Sequence, residues 1–172
     1  ELLEDLALNI LYDESSKNQD PFWEKTSADY FTGLALALFD DATEEEIQKA
    51  SEVVTKEIKS LIDKHIQKQE EILVVGLGNI YVTPDSLGPK VINEIDVTRH
   101  LINYLPQYVE EGTRPVSAIA PGVLGTTGME TLEIVNGIVN IVKPKLVIVI
   151  DALASRSIER ISSSIQLADT GI

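Results

Sequence analysis

The sequence predicts an α/β domain with a mainly parallel sheet in three layers, and three observations carry that prediction. Short unbroken aliphatic runs occur at Ile72–Val75, Val116–Ala120 and Leu146–Ile150. Runs that do not alternate suit strands covered on both faces, as in parallel sheets. Helical stretches separate them, at roughly 85–104 and 128–142, and this alternation implies layered units with right-handed crossovers.

Taken in chain order, residues 1–42 read as a helical N-terminal extension. A short apolar pattern (Leu2, Leu3, Leu6, Ile10) is followed by the polar break SSKNQDP and a second apolar stretch from Phe22 to Phe39. Pro21 after Asp20 suits a helix start, because proline is favoured at the first helical position. Residues 43–69 form the next unit. Thr43 with Glu46 fits a capping box, in which hydroxyl and carboxylate each satisfy a free N–H. Ile47, Ala50, Val54, Ile58, Leu61, Ile62 and His65 then recur near helical spacing, which predicts one amphipathic helix from about Thr43 to Lys68 with His65 on its packed face. From residue 70 to 172 the period changes to that of the α/β domain.

Composition narrows the function classes. The 172 residues are 44% hydrophobic but only 5% aromatic, a globular composition with an aliphatic core. The formal charge of −14 disfavours nucleic acid and anionic lipid, both of which need clustered Lys and Arg. Residues 1–70 hold 17 acidic and 7 basic side chains, against 11 and 7 in the rest, so the two parts differ in character. There is no cysteine, which excludes disulfides and thiolate metal sites and fits a reducing cytoplasm. No signal peptide or membrane span is expected: the start is acidic, and the run Leu34–Phe39 is too short for a bilayer. The chain starts without Met and stops at DTGI, so it reads as a fragment.

Ligands of open α/β sheets gather beyond the carboxyl ends of the strands. The residues following each run are therefore the candidates. Gly76, Gly78 and Asn79 follow the first, Gly125 and Thr126 the second, and Asp151, Ser155 and Arg156 the third. Asp151 ends an aliphatic run, so partial desolvation is expected, which favours the protonated carboxyl. It is either a functional acid or a structural one, as a helix N-cap or a partner of Arg156. Asp85, in TPDSLGP, is either an N-cap or the second member of a carboxyl pair. Were the fold to bring Asp85 beside Asp151, the two would share a proton, one acting as base on water and the other as acid. The GLGN turn lacks the third glycine of the dinucleotide fingerprint, since Tyr81 stands there and Pro84 follows. Its glycines are read as permitting a tight turn and close backbone approach. APGVLGTTG is either a cradle of N–H donors or a plain connection. His65 and His100 do not sit in a cluster with metal-ligand spacing, and no Ser occupies a GxSxG elbow.

In this order and spacing, ILVVGLGN, VTPDSLGP, VTRHL, VSAIAPGVLGTTGMET, KPKLVIVIDALASRS and SIQLADTGI resemble the spore germination protease family over about Glu71 to Ile172. The resemblance implies an aspartic-type endopeptidase that initiates degradation of small acid-soluble spore proteins during germination. It implies a zymogen, a homotetramer, a place in the cytoplasm of the spore core, and no cofactor. The family's two implicated aspartates match Asp85 and Asp151. Its fold is phosphorylase/hydrolase-like and related to hydrogenase-maturation endopeptidases, where nickel assists recognition; no metal set is visible in this sequence. The family's chain continues past DTGI into a Gly-rich segment and a large remainder, so the match is to a truncated domain, and the family's pro-segment start is not visible. Residues of about 18–46, with DPFWEKTSADYFTGLALALFDDATEEEI, are instead similar to a piece of type IV secretion coupling ATPases, without their phosphate loop. Two other readings remain at this point: a non-catalytic truncated or fused remnant, and a nickel-assisted maturation peptidase.

Overall fold

The computed structural model describes residues 43–67, 69–153 and 165–168. The extension expected over 1–42 lies outside them. Helix α1 spans Glu44–His65, ending three residues before the expected Lys68. Its start is the expected capping box: Glu46 N–H donates to Thr43 Oγ1, and Thr43 N–H donates to Glu46 Oε2 at 3.0 Å. The helix ends where Ile66 turns extended. His65 is exposed rather than packed, and Ile66, one residue on, takes the buried place instead. In the last turn a cationic or polar side chain suits the negative end of the helix dipole.

Three parallel strands form the sheet: β1 (Ile72–Gly76), β2 (Val116–Ile119) and β3 (Leu146–Ile150), in the order β2-β1-β3. Ile72 pairs with Val116 on one side and with Leu146 on the other, so the strands start level. All five residues of β1 are buried. Side chains alternate between faces, so both faces of β1 are covered, which explains its unbroken aliphatic sequence.

The crossover from β1 to β2 contains a single turn of 3-10 helix (Thr83–Asp85), α2 (Leu87–Asn93), α3 (Arg99–Tyr104) and a second such turn at Pro106–Tyr108. The single helix expected over 85–104 is therefore divided. The reason is tertiary. Thr98 is buried; its N–H donates to Val116 O, its Oγ1 accepts from Val116 N–H at 2.9 Å, and its hydroxyl donates to Arg114 O at 2.5 Å. A Thr98 N–H given to Val116 O is lost to the i→i−4 ladder, so the helix is interrupted between α2 and α3. The crossover from β2 to β3 carries α4 (Leu124–Thr127) and α5 (Thr131–Val142), separated at Gly128, whose φ of +72° closes α4. A helix had been expected to begin at Gly128; that residue instead stands between two.

Ile62 and Ile66 from the end of α1, Ile72 and Val74 of β1, Val91 and Ile95 near α2, and Val116 of β2 make the core. Arg114, 2% exposed, ties α1 to this core by donating to the carbonyls of Gln67 (2.7 Å) and Glu70 (3.1 Å). At the amino edge of the sheet Glu71 Oε1 lies 2.6 Å from Arg99 Nε, an ion pair with the N–H off the hydrogen-bond line. Ser117 Oγ reaches the same carboxylate at 3.3 Å. No helix among the described residues is long and apolar enough to cross a membrane.

Candidate active site

The strand order creates a location before any side chain is considered. The chain leaves β1 for β2 on one side and returns past it to β3 on the other. The reversal lies between β1 and β3, and such switch points open a crevice at the carboxyl ends of the strands. Leu77 N–H donates to Ile150 O at 2.8 Å, so the two strands stay paired up to that edge.

The β1 side of the crevice is a loop built by its glycines. Gly76 and Gly88 pack backbone to backbone: a Cβ on Gly76 would lie 2.5 Å from the Gly88 carbonyl carbon, and one on Gly88 would lie 2.7 Å from the Gly76 carbonyl carbon. This contact seats the first turn of α2 on the end of β1, with Val91 fully buried behind it. Gly78 has φ of +118°, and a Cβ there would run into the Asp85 carbonyl oxygen. The turn-and-close-approach reading of GLGN is what the backbone displays.

Asn79 closes the loop. Its N–H donates to Asp85 Oδ2 at 2.8 Å and to Asp85 O at 3.0 Å, while its side-chain Oδ1 accepts from Tyr81 N–H at 3.0 Å. Val82 N–H donates back to Asn79 O, and Asp85 N–H to Val82 O. Asp85 is thus a half-buried residue in a hydrogen-bonded turn, not the N-cap of α2, which is Ser86. A carboxylate accepts about four hydrogen bonds, so the Asn79 bond leaves capacity for a water or a substrate N–H.

Asp151 follows β3 directly, opposite the loop that leaves β1. It is exposed, which corrects the desolvation expected from the preceding aliphatic run. The run itself is only half-buried at this strand, so its end is not shielded. Oδ1 accepts the Ala152 N–H at 2.8 Å. Asp85 therefore lies in the turn that follows β1, and Asp151 directly after β3, both beyond the carboxyl ends of neighbouring parallel strands. Ser155 and Arg156 lie outside the described residues, and with them the alternative that pairs Asp151 with Arg156.

On the β2 side, Thr126 accepts from Val123 N–H (3.4 Å) and donates its hydroxyl to Val123 O (2.9 Å). The N–H groups of Thr126, Thr127 and Gly128 are already engaged by Val123 and Leu124 carbonyls. Val123 N–H is taken by Thr126 Oγ1, so a cradle of donors among residues 123–128 is confined to Leu124 and Gly125, and Gly125, with nothing near its Cβ position, is open to solvent. Among the described residues no group of three or more His, Asp or Glu could hold a metal ion. One feature escaped the sequence reading: Ile80, Tyr81 and Val82 are all exposed, Tyr81 by 88%. Three consecutive apolar residues inside a Gly- and Pro-rich loop, matching neither helical nor strand period, were the available signal.

Comparison with known proteins gives these elements a lineage. The family model described as germination protease matches residues 5–172, and so extends beyond the expected 71–172 over the segment of about 18–46 that the sequence reading had set apart. A germination protease of Geobacillus sp. (strain WCH70) is 52% identical over 149 residues, which is 86% of this chain and 40% of that protein. One from Clostridium acetobutylicum is 54% identical over 129 residues, 74% of this chain and 39% of the relative. One from Bacillus mycoides (strain KBAB4) is 52% identical over 126 residues, 73% of this chain and 34% of the relative. The chain thus spans two-fifths or less of the length of these curated relatives.

Proposed function

The chain belongs to the germination protease family, and from that premise we propose that it carries the carboxyl pair of an aspartic-type endopeptidase. In this reading Asp85 and Asp151 activate a water between them, and small acid-soluble spore proteins are the substrate. The observation that supports it is the strand order: the loop that bears Asp85 and the residue Asp151 leave the sheet at the carboxyl ends of the paired strands β1 and β3, on either side of the switch point. Asp85, hydrogen-bonded by Asn79, is suited to act as the held member of the pair. Asp151, exposed at a strand end, is suited to exchange protons with water or a leaving amine. Gly76, Gly78 and Asn79 shape the loop, and Gly125 with Thr126 borders the crevice from β2. Residues 70–172 are proposed as the peptidase unit, of hydrogenase-maturation-peptidase type, with 43–69 as its flanking helix and 1–42 as an extension. Zymogen control, a tetramer and the spore core belong to the same proposal.

The test is cleavage of a purified small acid-soluble spore protein, followed by product mass. Asp85→Asn and Asp151→Asn should each lower turnover by roughly 10²–10⁴-fold, the usual worth of an acid–base group, with thermal unfolding unchanged. Wild-type turnover in both variants refutes the pair.

A second reading, an α/β piece inactive by itself, draws support from α5. None of its residues is fully buried, and Leu132 and Ile141 are 69% and 82% exposed. Cleavage by the 172-residue chain alone would exclude it.

A further inference from the structure

We propose that Ile80, Tyr81 and Val82 form an apolar docking element that holds a bulky apolar side chain of the substrate polypeptide, within about three residues of the bond cut. The inference rests on the peptidase reading. Three observations carry it.

First, the three side chains are exposed together, at 41%, 88% and 43%. A single exposed aliphatic residue needs no explanation, but a run of three with an aromatic at its centre is a patch that water solvates poorly. Second, the loop is not loose. Tyr81 N–H and Val82 N–H are both held by Asn79, and Asp85 N–H is held by Val82 O. An aromatic presented on a fixed backbone loses little conformational freedom on binding, which is why Tyr is favoured at binding hot spots. Third, the patch and the candidate acid are parts of one turn. The Asn79–Asp85 hydrogen bonds close the loop that bears Ile80–Val82, so the patch is continuous with the crevice edge. An extended polypeptide advances about 3.3–3.6 Å per residue, so a side chain gripped by this tip lies only a few residues from a bond at Asp85. The occupant is committed by that continuity: a polypeptide engaged at the two carboxyls passes the patch.

The test pairs two labelled peptides with two variants in the intact protein. One peptide carries Leu beside the cleaved bond; the other carries Gly at that position. The Leu peptide should be preferred by about tenfold in kcat/KM, a hot-spot-sized effect. In Tyr81→Ala the preference should collapse towards unity, and Tyr81→Phe should restore it. Fluorescence anisotropy of the same peptides reads the preference as an affinity ratio, with or without turnover. Tyr81 is 88% exposed, so its loss does not threaten the fold. A preference that persists undiminished in Tyr81→Ala overturns the docking element, as does an absent preference in the wild type. If Asp85→Asn and Asp151→Asn keep full turnover while the preference still collapses in Tyr81→Ala, the carboxyl mechanism fails and the docking element stands.

Discussion

β1 and β3 are five-residue aliphatic strands paired to one another, yet one is sealed and the other is not. Every residue of β1 is buried, with Ile72, Leu73, Val74 and Val75 each 1% exposed. In β3 four residues are half-buried, and Val149 is 38% exposed. The helices repeat the contrast. α2 buries Gly88, Pro89 and Val91, whereas α5, richer in aliphatic residues, buries none fully. Aliphatic sequence makes burial favourable, but the position of a strand and the layer laid over it decide whether burial happens. β1 is central, with a neighbour on each side and a Gly–Gly contact that draws α2 down onto it. β3 is an edge of the described sheet.

The largest expected effect breaks this comparison at a single residue type. Leu73→Ala, in the sealed strand, should cost about 3 kcal/mol, the usual cost of a buried leucine truncated to a cavity. Leu132→Ala, on α5, should change stability by less than about 0.5 kcal/mol, as surface substitutions do. Urea unfolding of both variants checks this, and equal losses would mean that α5 is covered in solution. A smaller effect sharpens the sealed side. Gly88→Ala forces a methyl within 2.5 Å of Leu77 N and 2.7 Å of the Gly76 carbonyl carbon. It should cost about 2 kcal/mol as overpacking, and peptide cleavage should fall with it, since the same contact seats the Asn79–Asp85 loop.

The smallest effect concerns the exposed start of α1. Hydrogen bonds from the Thr43 hydroxyl and then the Thr43 N–H hold the Glu46 carboxyl below its ordinary value. A depressed carboxyl stabilises the folded state above the unfolded chain's pKa and loses that contribution as pH falls through the folded one. Helicity should therefore drop slightly on acidification through the carboxylate range, and Glu46→Gln should remove that part of the slope in circular dichroism.

Much of the scaffold was legible because it is local. Three aliphatic runs gave strands to within a residue, and Thr43 with Glu46 gave the start of α1. The division of the 85–104 stretch was not legible, because the bonds that take Thr98 out of a helical ladder involve Arg114 and Val116, more than fifteen positions on. His65 was misplaced by one residue of helical phase, since its turn is the last and Ile66 supplies the apolar contact. At the site, the glycine geometry of GLGN could be read, for only a tight turn explains glycines so placed before proline. The exposure of Asp151 could not, because it depends on what covers β3. In the sequence Tyr81 only breaks a nucleotide fingerprint; its place as the most exposed large side chain of the crevice loop depends on how the loop folds back on Asn79 and Asp85.

The shared edge of Asp85 and Asp151 can be measured without any substrate. The chain has no cysteine, so Asp85→Cys with Asp151→Cys introduces two thiols on a silent background. A bifunctional maleimide spanning roughly two strand spacings, about 10 Å, should link them within one molecule, while Asp85→Cys with Gln69→Cys, at the opposite end of β1, should not be linked. Mass spectrometry of the digest reads both. A cross-link in the first pair alone is the predicted result; no cross-link there, or equal yields in the two pairs, contradicts the carboxyl pair.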